Sequence, residues 1–262
     1  VYTDQQFVAN ADESNFSGQV TVSYKVRQDI RAFATYSLSY KPVGVNLGGL
    51  PTDNGRVMLE LARIKPEGVS HYELGVKTTP SRNFIFNAAA FLTEIKDYQT
   101  QVQTAEVGVN RGYLANAEKV RVHGAEADAN IKVNDHYTFF GNLAYTEGRY
   151  LSFKNAPVPL EETGGSASFK DVSKGEMPGI SKWTGSLGGE IQSDLKKAFS
   201  KEGRYFVAVE SYFRSSFSSS PSPSKYLRVP GYALVNGRIG YRSRDGISIF
   251  IWGRNLLNKN YF

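Results

Sequence analysis

The sequence predicts an all-β fold, an antiparallel transmembrane β-barrel contributing about ten strands, and three observations predict it. Apolar and polar residues alternate with period two over segments of ~10 residues or more, the length a tilted strand needs to cross a bilayer. The connections between these segments are alternately short and long. Aromatic residues stand near the segment ends on the apolar face, at Tyr24, Tyr40, Tyr72, Tyr137, Tyr145, Tyr205, Phe213 and Tyr241, where the interfacial girdles of a barrel belong. A soluble sandwich explains the alternation and leaves the other two unexplained.

Composition agrees. Tyr and Phe number 16 each against two Met, with 25 Gly among 262 residues, and such enrichment favours strands and turns over helices. Apolar runs are short, so no helix of ~20 apolar residues is available to span a bilayer. A barrel escapes that test, because only every second residue of its strands meets lipid. The chain has no cysteine and a formal charge of +6. Its basic residues are scattered, without the clustered Lys/Arg footprint of a nucleic-acid-binding surface. No nucleic-acid partner is expected.

In chain order, Phe16, Val20, Val22 and Tyr24 alternate with Ser17, Gln19, Thr21 and Ser23. After a turn at 27–29, Ala32, Ala34, Tyr36, Leu38 and Tyr40 alternate with Phe33, Thr35, Ser37 and Ser39, which makes a hairpin. A long loop is expected over residues 42–68. Next comes a strand with Tyr72, Leu74 and Val76 opposite Glu73, Gly75 and Lys77, and a tight turn at Thr79-Pro80-Ser81-Arg82. Strands follow over residues 83–98 and 112–133, the latter with Ala125, Ala127, Ala129 and Ile131 on one side and Glu126, Asp128, Asn130 and Lys132 on the other. Asn134-Asp135-His136 turns the chain into a strand around Tyr137 to Tyr145. A second long loop covers residues 151–179, a strand opens near Trp183, and a turn near 194–203 leads to Tyr205, Val207, Val209 and Phe213. A third long loop, Ser/Pro-rich, covers residues 215–230 and precedes strands at 231–241 and from Gly246 onward, where Ile247, Ile249 and Ile251 alternate with Ser248, Phe250 and Trp252. All ten prolines fall in the expected connections, as proline's missing N–H requires. Alternation places Phe16, Val20, Val22, Leu38, Leu74, Ala125, Ala127, Val207, Val209, Ile249 and Ile251 toward lipid. Glu73, Lys77, Glu126, Asp128, Lys132, Glu210, Arg238 and Arg254 fall inside, either as the ordinary polarity of a large barrel or as a conduit for substrate.

Several spaced stretches carry a family resemblance. The final segment, GISIFIWGRNLLNKNYF, resembles the penultimate barrel strand of the TonB-dependent outer-membrane receptors, which carry a similar Asn-Leu-(Leu/Phe)-(Asp/Asn)-Lys-x-Tyr before the closing strand. AFATYSLSYKPVGVN, KPEGVSHYELGVKTTP, NAAAFLTEIKDYQTQ and PGISKWTG resemble further barrel strands of that family, with Ser39 and Val43 standing where its pattern has Gly. The resemblance runs from about residue 16 to 262. It implies a barrel of about 22 strands closed around a plug, in the outer membrane of a Gram-negative bacterium. It further implies import of a scarce nutrient, most readily a ferric siderophore, driven by the TonB-ExbB-ExbD complex. The chain then holds the later part of that barrel, with the plug, the TonB box and the last strand lying outside it. The alternatives are a passive porin or channel and a soluble all-β binding module.

Enzyme chemistry finds no support. His71, His123 and His136 are far apart, and no Gly-x-Ser-x-Gly elbow, P-loop or His-Glu-x-x-His occurs. Neither a metal nor a cofactor is expected. The three long loops emerge on one side, which the shortness of periplasmic turns makes extracellular. Around their mouths stand Lys41, Arg149, Tyr150, Arg214, Phe217, Tyr226 and Arg228. These cationic and aromatic groups suit an anionic ligand with flat rings, such as a metal–siderophore complex, and are the candidate substrate-binding residues.

Overall fold

The structure, a computed structural model, describes residues 7–47, 50–53, 56–103, 112–167, 169–198 and 200–261. Parts of the long loops, the 104–111 connection and position 199 of the 194–203 turn lie outside the described residues. Ten long strands form one antiparallel sheet in chain order: β1 (Gly18–Arg27), β2 (Ile30–Lys41), β3 (Glu67–Ser81), β4 (Phe84–Gln103), β5 (Gly112–Lys132), β6 (Tyr137–Ser152), β7 (Trp183–Gln192), β8 (Lys201–Arg214), β9 (Tyr232–Ser243) and β10 (Ser248–Gly253). Each pairs with its neighbour in sequence, and Lys196–Ala198 adds a short pairing to β8. Among the described residues β1 and β10 are the two edges of the sheet.

The two faces separate as alternation requires. Row by row, Val22 stands opposite Ala34, Ala34 opposite Leu74, Leu74 opposite Ala90 and Ala90 opposite Ala125. This face is apolar and uncovered: Val22 is 66% exposed, Leu74 64%, Leu187 67% and Ile251 77%. An apolar face of this extent is not tolerated against water in a soluble monomer, and it matches the lipid-facing surface of a transmembrane barrel. The opposite face carries a trough of about 610 Å³ lined by Gln19, Arg31, Glu73, Lys77, Glu126 and Asp128. Tyr137 to Tyr145 and Tyr205 to Phe213 each span eight residues. At ~3.4 Å per residue and a ~40° tilt the two girdles lie about 21 Å apart along the membrane normal, close to the ~25 Å apolar band of outer-membrane barrels.

Phenylalanine rings lie over glycines directly opposite them, in the pairs Phe33–Gly75, Phe91–Gly124, Phe140–Gly188, Phe139–Gly189 and Phe213–Gly185. A methyl group built on Gly75 would come 2.5 Å from the Phe33 ring, and one on Gly124 2.0 Å from the Tyr145 carbonyl oxygen. Glycine at these positions makes room for the ring and for close backbone approach.

Three sequence expectations are corrected. The turn expected at Thr79–Arg82 is instead at residues 82–83, because β3 runs to Ser81 through a register shift between Thr78 and Ser81. Pro80 therefore lies within a strand, in a bulge where a missing N–H breaks no regular ladder; Pro157 likewise sits in the two-residue pairing of Ala156–Pro157 with Phe169–Lys170. The final strand is also shorter than expected, covering Ser248–Gly253 only. Beyond it Asn255 and Asn258 take positive φ, and the Asn255 side chain bonds both the N–H and the carbonyl of Lys259. The Leu256 N–H returns to the Val235 carbonyl at 2.8 Å, so the Asn-Leu-Leu-Asn-Lys segment folds back as a polar exit.

Candidate functional site

The long-loop end of the sheet is built over a buried apolar cluster. Val102, Tyr113, Ala115, Ala117, Val120, Tyr150, Phe153, Ala156, Val172 and Met177 pack together there, uniting β4, β5 and β6 with the 151–179 loop. Tyr150 is fully buried, its ring centroid 5.0 Å from that of Phe153. This corrects its candidate role: an enclosed ring has no surface for an incoming ligand, and Tyr150 instead anchors the loop.

The second and third long loops are docked on one another. The Gly179 N–H donates to the Ser218 carbonyl at 2.8 Å. The Ser222 hydroxyl donates to the Pro157 carbonyl. The Ser224 hydroxyl donates to Glu161 at 2.6 Å, and the Lys225 N–H to the same carboxylate at 3.2 Å. These donors hold the Glu161 carboxyl below the usual glutamate range, the Ser224 hydroxyl having the largest effect. Arg228 closes the junction with a 3.0 Å ion pair to Glu176. Sequence reasoning missed Glu161, Glu176 and Ser181, whose partners are 33 to 64 residues away.

Arg214, Phe217, Tyr226 and Arg228 all lie on this docked layer. The Arg214 guanidinium lies 3.9 Å over the Phe217 ring, donating to the Ser181 hydroxyl at 2.9 Å and the Gly179 carbonyl at 3.0 Å. Both acceptors are neutral, so the charge on Arg214 is held in place without being cancelled. Tyr226 is 65% exposed with the Lys225 ammonium 4.9 Å over its ring.

Lys41 does not join this group. It stands on β2, paired with Glu67 at 3.5 Å, four strands from β6 and so about 19 Å away at ~4.8 Å per strand. Glu67 and Gln99 tie it to the first loop, through the Gln99 N–H to Glu67 at 2.8 Å and the Gln99 amide to the Pro42 carbonyl at 2.6 Å. Arg149 shares the parity of Leu143 and Tyr145 along an unbroken register with β5. It therefore points outward from the sheet, bonded to Glu147 at 2.7 Å and to the Lys174 carbonyl at 2.9 Å. The three histidines stay apart, His71 with Thr93, His123 with Glu147 and His136 with Gln192 and Asp194. No cluster with metal-ligand geometry occurs among the described residues.

An antiparallel sheet in consecutive strand order, apolar outside and polar inside, with short turns at one end and a built loop layer at the other, defines the wall of an outer-membrane-type β-barrel. Residues 2–256 match the family described as TonB dependent receptor-like, beta-barrel, and the chain belongs to that family. It is 26% identical over 268 residues to the ferric-pyoverdine M114 receptor PbuA of Pseudomonas sp. (strain M114), covering 95% of this chain and 27% of that protein. It is 20% identical to the probable TonB-dependent siderophore receptor PiuA of Acinetobacter baumannii, covering 99% and 33%. Among solved structures, the ferric yersiniabactin uptake receptor FyuA from Yersinia pestis aligns with a TM-score of 0.66 at 19% identity, over 94% of this chain and 32% of that one. The chain thus spans about a third or less of the length of these relatives.

Proposed function

We propose that the chain forms part of the wall and mouth of an outer-membrane receptor that captures a ferric siderophore and imports it with energy from the TonB-ExbB-ExbD complex. The observation that carries this reading is the family match over residues 2–256 together with a pyoverdine receptor as a relative. The site supports it. Arg214, its charge uncancelled, is stacked on Phe217, and Tyr226 stands exposed beside Lys225; cations and flat rings together attract an anionic ligand with planar groups. Arg228 contributes by fixing the junction to Glu176, and Lys41 and Arg149 lie outside the capture group.

The alternative is a passive porin, which needs an unobstructed mouth. The docked second and third loops favour a gated receptor over an open channel. The test is radioiron uptake by iron-starved cells carrying the full-length gene, with ferric pyoverdine and ferric yersiniabactin as probes. Uptake that saturates and stops when tonB is deleted supports the receptor. Uptake indifferent to tonB, or graded only by solute size, refutes it. Removing residues 151–179 is expected to abolish uptake while leaving the receptor in the outer membrane; uptake that survives this deletion places capture elsewhere.

A further inference from the structure

The polar inner face is not uniform in sign. On β1 to β5 its trough of about 610 Å³ carries Arg31 and Lys77 against Glu73, Glu126 and Asp128. On β8 to β10 the balance reverses. Between the Arg214 row and the row in which Arg204 faces Arg242, five arginines (Arg204, Arg214, Arg238, Arg242 and Arg254) stand against Glu190 and Glu210. Four of them lie over rings: Arg214 at 3.9 Å from Phe217, Arg254 at 5.0 Å from Trp252, and Arg242 and Arg238 at 4.7 and 5.9 Å from the buried Phe206. Their charges are incompletely answered. Arg214 bonds neutral acceptors. Arg254 makes no ion pair among the described residues and opens onto a trough of about 320 Å³. Arg238 and Arg242 share the single carboxylate of Glu190, at 3.2 and 3.1 Å. Counted along β9, Arg214 stands opposite Tyr232, and Arg254, two residues past Trp252, falls between that row and Arg238. At ~3.4 Å per residue and a ~40° tilt, the steps from Arg214 to Arg254, to Arg238 and to Arg242 are about 10, 5 and 10 Å along the normal. Each is comparable with or shorter than the ~8–10 Å over which a charge is felt in saline.

We infer that this strip of β8 to β10 is the track along which an anionic ligand with planar groups crosses the barrel, handed from Arg214 at the mouth to Arg254 and then to Arg238 and Arg242 toward the short turns. Each station offers the cation and the ring that the mouth offers. Sharing Glu190 weakens the hold of the last two, and a conducting path needs sites that release as readily as they bind. The carboxylate excess on β1 to β5 repels the same ligand. The inference rests on the siderophore-import proposal and adds to it the side of the wall that the ligand follows.

The test uses iron-starved cells carrying the full-length receptor and radioiron-labelled ferric pyoverdine and ferric yersiniabactin. Surface binding is measured in a tonB deletion, and saturated uptake in cells with tonB intact. Arg254→Gln breaks no ion pair and is expected to leave binding within about twofold while lowering uptake about fivefold, the attraction between unit charges ~4 Å apart in water. Arg254→Lys, which keeps the charge, is expected to restore most of the uptake, and Arg254→Glu to lower it about thirtyfold. Arg242→Gln is expected to match Arg254→Gln and serves if that variant fails to reach the outer membrane. Lys77→Gln, on the opposite stretch of wall, is expected to change neither quantity. Unchanged uptake in both Arg254→Gln and Arg254→Glu, an equal loss in Lys77→Gln, or a loss confined to binding would overturn the track. So would vancomycin sensitivity in Arg254→Gln, by making the strip a seal. If the unaltered receptor imports neither probe, the import proposal falls and the track with it; if it imports one and the track variants import it equally well, the track alone falls.

Discussion

Val209 offers the sharpest test of which face meets lipid. It lies four residues from Tyr205 and four from Phe213 on β8, about 10 Å along the normal from either girdle and so at the middle of the apolar band. It is 49% exposed, and its cross-strand neighbours are Gly189 and Gly237, so no side chain beside it can answer an introduced charge. An arginine at the bilayer midplane of a barrel costs about 2–4 kcal/mol, which is about thirty- to nearly a thousandfold in the folding equilibrium. The next residue, Glu210, points the other way, into a trough with Asn236, Arg238 and Arg254. Glu210→Arg forfeits one hydrogen bond from Asn236 and is expected to cost within about 1.5 kcal/mol. The assay is guanidinium unfolding of the full-length receptor in phospholipid vesicles, read by tryptophan fluorescence. Equal destabilisation by Val209→Arg and Glu210→Arg would refute the assignment of faces, and a larger loss at Glu210 would reverse it.

Other outcomes follow from the packing. Gly124→Ala must move both the Tyr145 backbone and the Phe91 ring and is expected to cost about 1–3 kcal/mol by overpacking, whereas Gly68→Ala, with open space around it, is expected to be near neutral in the same unfolding assay. Because the Glu161 carboxyl is held below its unfolded value, the stability it lends the loop junction is present above the ordinary glutamate range of about 4.3 and is lost as pH falls through its folded value. Spin labels at Thr163 and Ser219 should therefore separate in acid, and Glu161→Gln should remove that pH dependence; a distance independent of pH in both would sink the role given to Glu161. The 262-residue polypeptide expressed alone leaves β1 and β10 as open edges, and backbone groups unpaired in lipid are costly. It is expected to aggregate, and a heat-resistant, strand-rich monomer in micelles would count against this.

The faces were legible because period-two alternation is a local property: Val20, Val22 and Leu74 needed no knowledge of their partners to be placed outside. The same counting, continued by twos from Tyr145, reaches Arg149, so its outward orientation was available from the sequence. Its placement at a loop mouth considered position along the strand and not parity. Tyr150 is different. Its burial depends on Phe153 within the loop and on Val120 across the strand pair, and no periodicity reports a side chain covered by a loop. The loop junction was illegible for a related reason, since Glu161 and Ser224 meet only once two irregular segments have folded. The Thr79–Arg82 turn failed because proline marks turns and bulges alike, and only the pairing of Thr78 with Phe86 and Ser81 with Phe84 separates them.

The five phenylalanine–glycine pairs bear on how much room the wall leaves behind it. A ring laid along the sheet over a bare backbone stands far less proud than one rising from it beside a second side chain. Where the ring lies on the inner surface, as at Phe33, Phe91 and Phe140, it supplies apolar area and stiffness while adding little thickness. Replacing these glycines with larger residues would lift the rings toward the axis and narrow the bore from the wall inward. By this account the clearance available to anything moving past the wall is set partly by residues that have no side chain.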